Sequence, residues 1–122
     1  MIVAYWIVAA LLAIFYLYAG GKKIVQSKQQ LAPMMGWVDT VPMPAVRAIG
    51  VLEVLGAVGL VLPPLFGVAP WLAVAAASGL VAVQVGGIAM HLSRGEARLI
   101  GLNVVLLVLA GAAVLLAPAF AA

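Results

Sequence analysis

The sequence predicts an all-α protein, a transmembrane four-helix bundle with both termini on the outer side. Three observations predict it: a composition unsuited to water, four apolar runs of spanning length, and basic residues confined to two of the three connections between those runs. Of the 122 residues, 68% are hydrophobic and only 7% are charged, and the mean hydropathy is +1.33. A water-soluble domain carries about a quarter of its residues charged, so this chain belongs in a lipid bilayer. Its length allows one domain, residues 1–122.

A spanning helix needs roughly 20 consecutive apolar residues. Residues 2–20 form the first such run and carry no charge. No basic residue precedes that run, which favours an uncleaved outward-facing helix over a cleaved signal peptide. Residues 44–62 form the second run, with Pro44 in its first turn, where a missing N–H costs nothing, and Pro63-Pro64 expected to stop it. Residues 70–91 form the third and residues 99–117 the fourth, with Pro118 just beyond. PPLFGVAP joins the second run to the third, and SRGEA the third to the fourth. The longer KKIVQSKQQLAPMMGWVDTVPM joins the first two and is expected to lie along the interface around Trp37.

Lys22, Lys23, Lys28 and Arg47 flank the first connection and Arg94 and Arg98 the third, while the second connection and both termini carry no basic residue. Basic residues concentrate on the cytoplasmic side of membrane proteins. The first and third connections therefore face the cytoplasm, and Trp6 and Trp71 fall at the outer interface. Arg47 and Arg98 read as topology determinants and headgroup contacts, and the five Met residues and Trp37 as packing or interface residues. A multi-pass integral protein of a bacterial cytoplasmic membrane is expected. The pI of 9.7 comes from these topological charges and not from a basic patch, so nucleic acid is not an expected partner.

Polar residues inside the runs gather toward the cytoplasmic ends. At 1.5 Å per residue, Glu53 lies about 12 Å inside the second run, Gln84 about 10 Å above His91 in the third, Asn103 about 6 Å into the fourth and Tyr16 about 9 Å into the first. Glu53 shares a strip with Gly50, Gly56 and Ala57; Gln84 shares one with Gly87 and His91, and Tyr16 with Gly20 and Lys23. Small residues let helices approach closely in lipid, so these strips should face one another. An intramembrane carboxylate faces the interior with a partner. Lys23, Arg47 and His91 are the candidates, and Lys23 is favoured because its flexible stem can reach inward from the membrane edge. Gln84 and Asn103 suit interhelical hydrogen bonding, and His91 suits an interfacial position.

Several chemistries are excluded. The chain has no cysteine, which removes disulfides, thiol redox chemistry and cysteine metal sites. One His and three acidic residues are too few for a closed metal site. There is no H-E-x-x-H, phosphate loop, Ser-His-Asp set or dinucleotide fingerprint, and GGKK lacks the Walker spacing. The sequence requires no cofactor.

AGGKKI at Ala19 to Ile24 resembles the A-G-x-x-K-L pattern that ends the first helix of the DoxX-like family of small four-helix membrane proteins, and the match selects Lys23 over Lys22. GVLEVLGAVGLVLP at Gly50 to Pro63 is similar to that family's G-x-x-E-x-x-G-x-x-G-L segment, and APWLAVAAASGL and the histidine followed by SRGE also fit. The resemblance covers nearly the whole chain. It implies links to quinone-coupled sulfur oxidation, to oxidative-stress complexes and to assembly of other membrane proteins, with the catalytic cofactors of the redox systems carried largely by partner chains.

The leading expectation is therefore a membrane subunit or accessory protein of redox-linked metabolism, with an inner-leaflet pocket for a small apolar ligand such as a quinone. Glu53 and Lys23 would form its polar end, with Tyr16, Gln84, Asn103 and His91 as further ligand-binding candidates. A second reading is a non-catalytic assembly module for a partner membrane protein, in which Glu53 only pins the bundle. A third is a small proton-coupled multidrug exporter, although the key acid of such proteins lies in the first helix and the first run here has none. Whether the chain is an enzyme stays open between these readings. Glycines at positions 50, 56, 59, 79, 86, 87 and 111 suit either contacts within one bundle or a homo-oligomer, and their spacing does not separate the two.

Overall fold

In a bilayer no water is available to satisfy bare peptide groups, so an apolar run of this length must bond its backbone internally as a helix. The computed structural model describes residues 2–69 and 71–120, and all the regular structure among them is helical. Five α-helices follow in order: α1 (Ile2–Val25), α2 (Lys28–Leu31), α3 (Met43–Phe66), α4 (Trp71–Ser93) and α5 (Gly101–Leu116). Short 3-10 turns occupy Gly36–Asp39, Ala97–Leu99 and Ala117–Phe120.

Helices α1, α3 and α4 are long and apolar enough to cross a membrane. The fourth expected span is shorter than its apolar run: α5 has 16 residues, about 24 Å of helix against the roughly 30 Å of a hydrocarbon core. Pro118 has no N–H to offer the Val114 carbonyl, so α-type bonding stops and a 3-10 turn adds about 8 Å. The first span, expected to end at Gly20, continues to Val25, with Lys22 and Lys23 in its last turn, where they complement the helix dipole. Pro70, the expected start of the third span, lies outside the described residues.

The second span corrects a further expectation. Pro63-Pro64 does not stop it: α3 runs through both prolines to Phe66 and ends at Gly67, whose left-handed backbone (φ 66°) only glycine adopts freely. The Val68 N–H closes the cap on the Pro63 carbonyl at 3.1 Å. Pro64 leaves the Leu60 carbonyl without its helical donor, and the buried Tyr5 hydroxyl donates to that oxygen from α1. A tertiary hydrogen bond thus replaces the missing helical one.

Helix α1 packs against α3 and α5, and α4 packs against the same two, closing a ring of four. Short connections make α3 and α4, and α4 and α5, antiparallel neighbours. The basic residues of the α1–α3 and α4–α5 connections consequently meet at one end. Alanines at the crossings (Ala9, Ala73, Ala77, Ala110, Ala113) let the backbones approach, and Tyr5, Leu12, Tyr16, Leu60 and Leu80 fill the remaining space. The outer faces are apolar and exposed, as at Ile14, Val108 and Leu115.

The first connection carries structure of its own. Ser27 caps α2 in a reciprocal capping box, its hydroxyl accepting from the Gln30 N–H at 3.2 Å while Gln30 Oε1 accepts from the Ser27 N–H at 2.8 Å. Leu31, Val38 and Val46 then form a small second core. This folds the segment back against the ends of α1 and α3.

Candidate functional site

A tight crossing of α1 and α3 at two glycines sets the site. A Cβ built on Gly50 would lie 2.7 Å from the Gly20 carbonyl oxygen, and one on Gly20 would lie 2.8 Å from the Gly50 carbonyl oxygen. Only glycine at both positions permits this contact. Lys23 stands opposite Gly50 and Glu53 opposite Gly20 across this crossing, and their side chains reach diagonally over it, Lys23 Nζ donating to Glu53 Oε1 at 2.6 Å. Lys23 is 7% exposed and Glu53 2%. The carboxylate thus has Lys23, in the last turn of α1, as its cation.

The other two candidate cations for Glu53 are used elsewhere. Arg47 donates to the Lys23 and Gln26 carbonyls, two of the orphan acceptors at the C-terminal end of α1. It ties α3 to α1 and is half-buried, where a headgroup contact was expected. His91 Nδ1 lies 3.0 Å from Glu96 Oε1, and Arg94 Nε donates to the same oxygen at 3.0 Å. Gly95 (φ 70°) makes this possible: it ends α4 in a Schellman turn, with the Glu96 N–H on the His91 carbonyl at 2.8 Å and the Gly95 N–H on the Leu92 carbonyl at 3.1 Å. Those bonds from Arg94 and His91 hold the Glu96 carboxyl below the usual carboxylate range. Arg94 also donates to the Thr40 hydroxyl at 3.1 Å, tying the first connection to the third.

A second polar chain crosses three helices. Asn103 Nδ2 of α5 donates to Gln84 Oε1 of α4 at 2.9 Å, and Gln84 Nε2 donates to the Tyr16 hydroxyl of α1. Gly87 makes room for it, since a Cβ there would lie 2.8 Å from Asn103 Nδ2. Each amide has a partner, as buried polar groups require.

Between these two groups lies a cavity of about 560 Å³. Lys23, Glu53, Gln84, His91 and Asn103 line it, together with Phe15, Trp37, Met34, Met35 and Leu106. Tyr16 is fully buried behind Gln84 and does not line the space. The indole of Trp37 sits 5.9 Å from Lys23 Nζ, a cation–π approach. Glu53 Oε2 and Asn103 Oδ1 accept no hydrogen bond among the described residues, and Lys23 Nζ has donors to spare. The space therefore offers both unused acceptors and unused donors inside a mainly apolar wall.

Sequence reasoning missed three participants. Trp37, read as an interface residue, lines the cavity because the Ser27 capping box and the Leu31–Val38–Val46 cluster fold its segment inward. The S-x-x-Q spacing of Ser27 and Gln30 was the available signal. Glu96 and the tethering role of Arg47 left no local signature. The glycines also divide: positions 20, 50, 56, 59 and 87 are crowded by neighbouring segments, whereas a Cβ at Gly79, Gly86 or Gly111 would meet nothing within 4 Å.

Apolar helices of spanning length, wrapped around a buried ion pair, define a small helical membrane protein. A family model described as the DoxX-like family matches residues 7–113, and the chain belongs to that family. No curated protein and no solved structure matches it.

Proposed function

We propose that this chain is a single-domain, four-span protein of a bacterial cytoplasmic membrane, with both termini outside, that serves redox-linked metabolism as a membrane subunit or accessory protein. Its inner-leaflet cavity binds a small apolar ligand with a polar head, of the quinone type. The observation that carries the reading is the cavity of about 560 Å³ in which Lys23, Glu53, Gln84 and Asn103 converge. Mostly apolar walls with a few convergent polar groups suit such a ligand. A quinone carbonyl accepts from the Lys23 ammonium or the Asn103 amide, and a quinol hydroxyl donates to Glu53 Oε2. An ion pair inside a membrane protein is a candidate functional group for the same reason that it is costly to keep there.

Titration of a quinone into the purified protein, read by quenching of Trp37 fluorescence in a Trp6→Phe/Trp71→Phe background, tests the reading. Saturable quenching that weakens about tenfold or more in Asn103→Leu and Glu53→Gln supports it. Quenching that is unchanged in both variants removes the ligand assignment. A stoichiometric membrane partner recovered with the protein, with no ligand in native mass spectrometry, transfers the assignment to the assembly reading.

A further inference from the structure

The polar cavity is the inner end of a longer cleft. Along α3, residues Ile49, Leu52, Gly56, Gly59, Pro63 and Phe66 recur every three or four positions, so they share one helix face. Along α4, Leu72, Ala76, Gly79, Val83, Gly86 and Met90 do the same. The inner members of both stripes line the polar cavity, and the outer members line an open groove of about 1030 Å³ between the two helices. Ala82 and Val83 line both spaces. The groove has no charged or amide side chain among its lining residues. Its floor is tight, since a Cβ on Gly56 would lie 2.8 Å from Leu80 Cδ2 and one on Gly59 would lie 2.8 Å from Ala76 Cβ. Its flank is not: nothing lies within 4 Å of a Cβ on Gly79.

We infer that this groove holds the isoprenoid tail of a membrane quinone whose head ring occupies the polar cavity. The inference rests on the quinone-type reading given above and extends it to the ligand's other end. From Glu53 to Phe66 the cleft runs 13 residues of helix, about 20 Å, which suits an extended chain rather than a compact solute. Both walls mix small residues with larger apolar ones and give a flexible chain continuous van der Waals contact, a main source of association between apolar surfaces in lipid. A phospholipid keeps its charged head at the bilayer interface. An uncharged ring can follow its tail sideways from the bilayer past Ala82 and Val83 to the Lys23–Glu53 pair.

The test compares two naphthoquinones with the same head ring, one carrying an isoprenoid tail and one a methyl group in its place. Both are titrated against the protein in nanodiscs by Trp37 quenching, with concentrations corrected for partition into empty nanodiscs. Gly79→Phe fills the groove from a position whose Cβ meets no neighbour within 4 Å, and Gly111→Phe places the same ring outside it at a position whose Cβ is likewise unobstructed. The tailed quinone is expected to bind about tenfold more weakly to Gly79→Phe, with the tailless one unchanged and Gly111→Phe like the parent. A tailed quinone that binds Gly79→Phe normally overturns the tail assignment and leaves the head cavity standing. Equal weakening of both quinones overturns it as well, because the substitution then acts on the head site. If neither quinone binds the parent protein, the quinone reading falls and takes the tail with it. A phospholipid retained through purification and lost in Gly79→Phe assigns the groove to structural lipid and likewise overturns the inference.

Discussion

Replacing Lys23 by Met removes the ammonium and keeps most of the side-chain volume. The carboxylate left behind is 3% exposed on its side chain and has lost a partner at 2.6 Å. At an effective dielectric constant of about 20, that separation corresponds to a gross attraction of about 6 kcal/mol. Desolvation of both charges cancels much of it, so the pair itself contributes little net stability. Breaking one side is different, because the desolvation remains and the attraction does not, and such losses run at about 3–5 kcal/mol. Lys23→Met is expected to destabilise by that amount. Lys23→Met/Glu53→Leu, which buries neither charge, is expected to return to within about 1–2 kcal/mol of the parent. Reversible unfolding in mixed detergent micelles, followed by circular dichroism, measures both, and the cycle isolates the coupling. A double variant as unstable as Lys23→Met would refute the reasoning, since the loss would then come from packing around the lysine stem and not from a stranded charge.

Gly50→Ala drives a methyl group to 2.7 Å from the Gly20 carbonyl oxygen, so α1 and α3 must part; a loss of about 1–3 kcal/mol is expected, with a raised hydrogen-exchange rate around Gly20. Tyr5→Phe removes the donor to the Leu60 carbonyl that Pro64 leaves free, and should cost about 1–3 kcal/mol in the same unfolding assay. At the turn after α4, Glu96 titrates below the usual carboxylate range because Arg94 and His91 bond its anion. Its contribution is therefore fully present above the unfolded-state value and is lost as pH falls through the lower folded value. Amide exchange at positions 94–99 should accelerate on that acidification, and Glu96→Gln should remove the pH dependence while leaving exchange at α3 unaffected.

Membrane character, the approximate positions of the helices and the gathering of basic residues at one end of them were legible in the residues alone. Each follows from local chemistry: an apolar run must form a helix in lipid wherever its neighbours stand, and a charge without a partner must stay near one end of it. The choice of Lys23 over Arg47 and His91 was legible too, from the reach of its flexible stem, and the ion pair with Glu53 bears it out. Family patterning pointed to the same lysine.

Other features existed only once four segments were packed together. Pro63 and Pro64 read locally as a stop, yet Tyr5, 55 residues from Leu60, supplies the hydrogen bond that lets α3 continue. Arg47 looked like a headgroup contact until the end of α1 arrived beside it with unpaired carbonyls. Trp37 entered the cavity wall because a small core, which Leu31 and Val38 form with Val46 of α3, turned its segment inward. Local sequence determines what each segment can do in lipid, since that depends on its own hydrogen bonds and hydrophobicity. Which carbonyls are left bare, which glycines are crowded and where an empty space remains depend on distances between segments, and only the tertiary structure decides those.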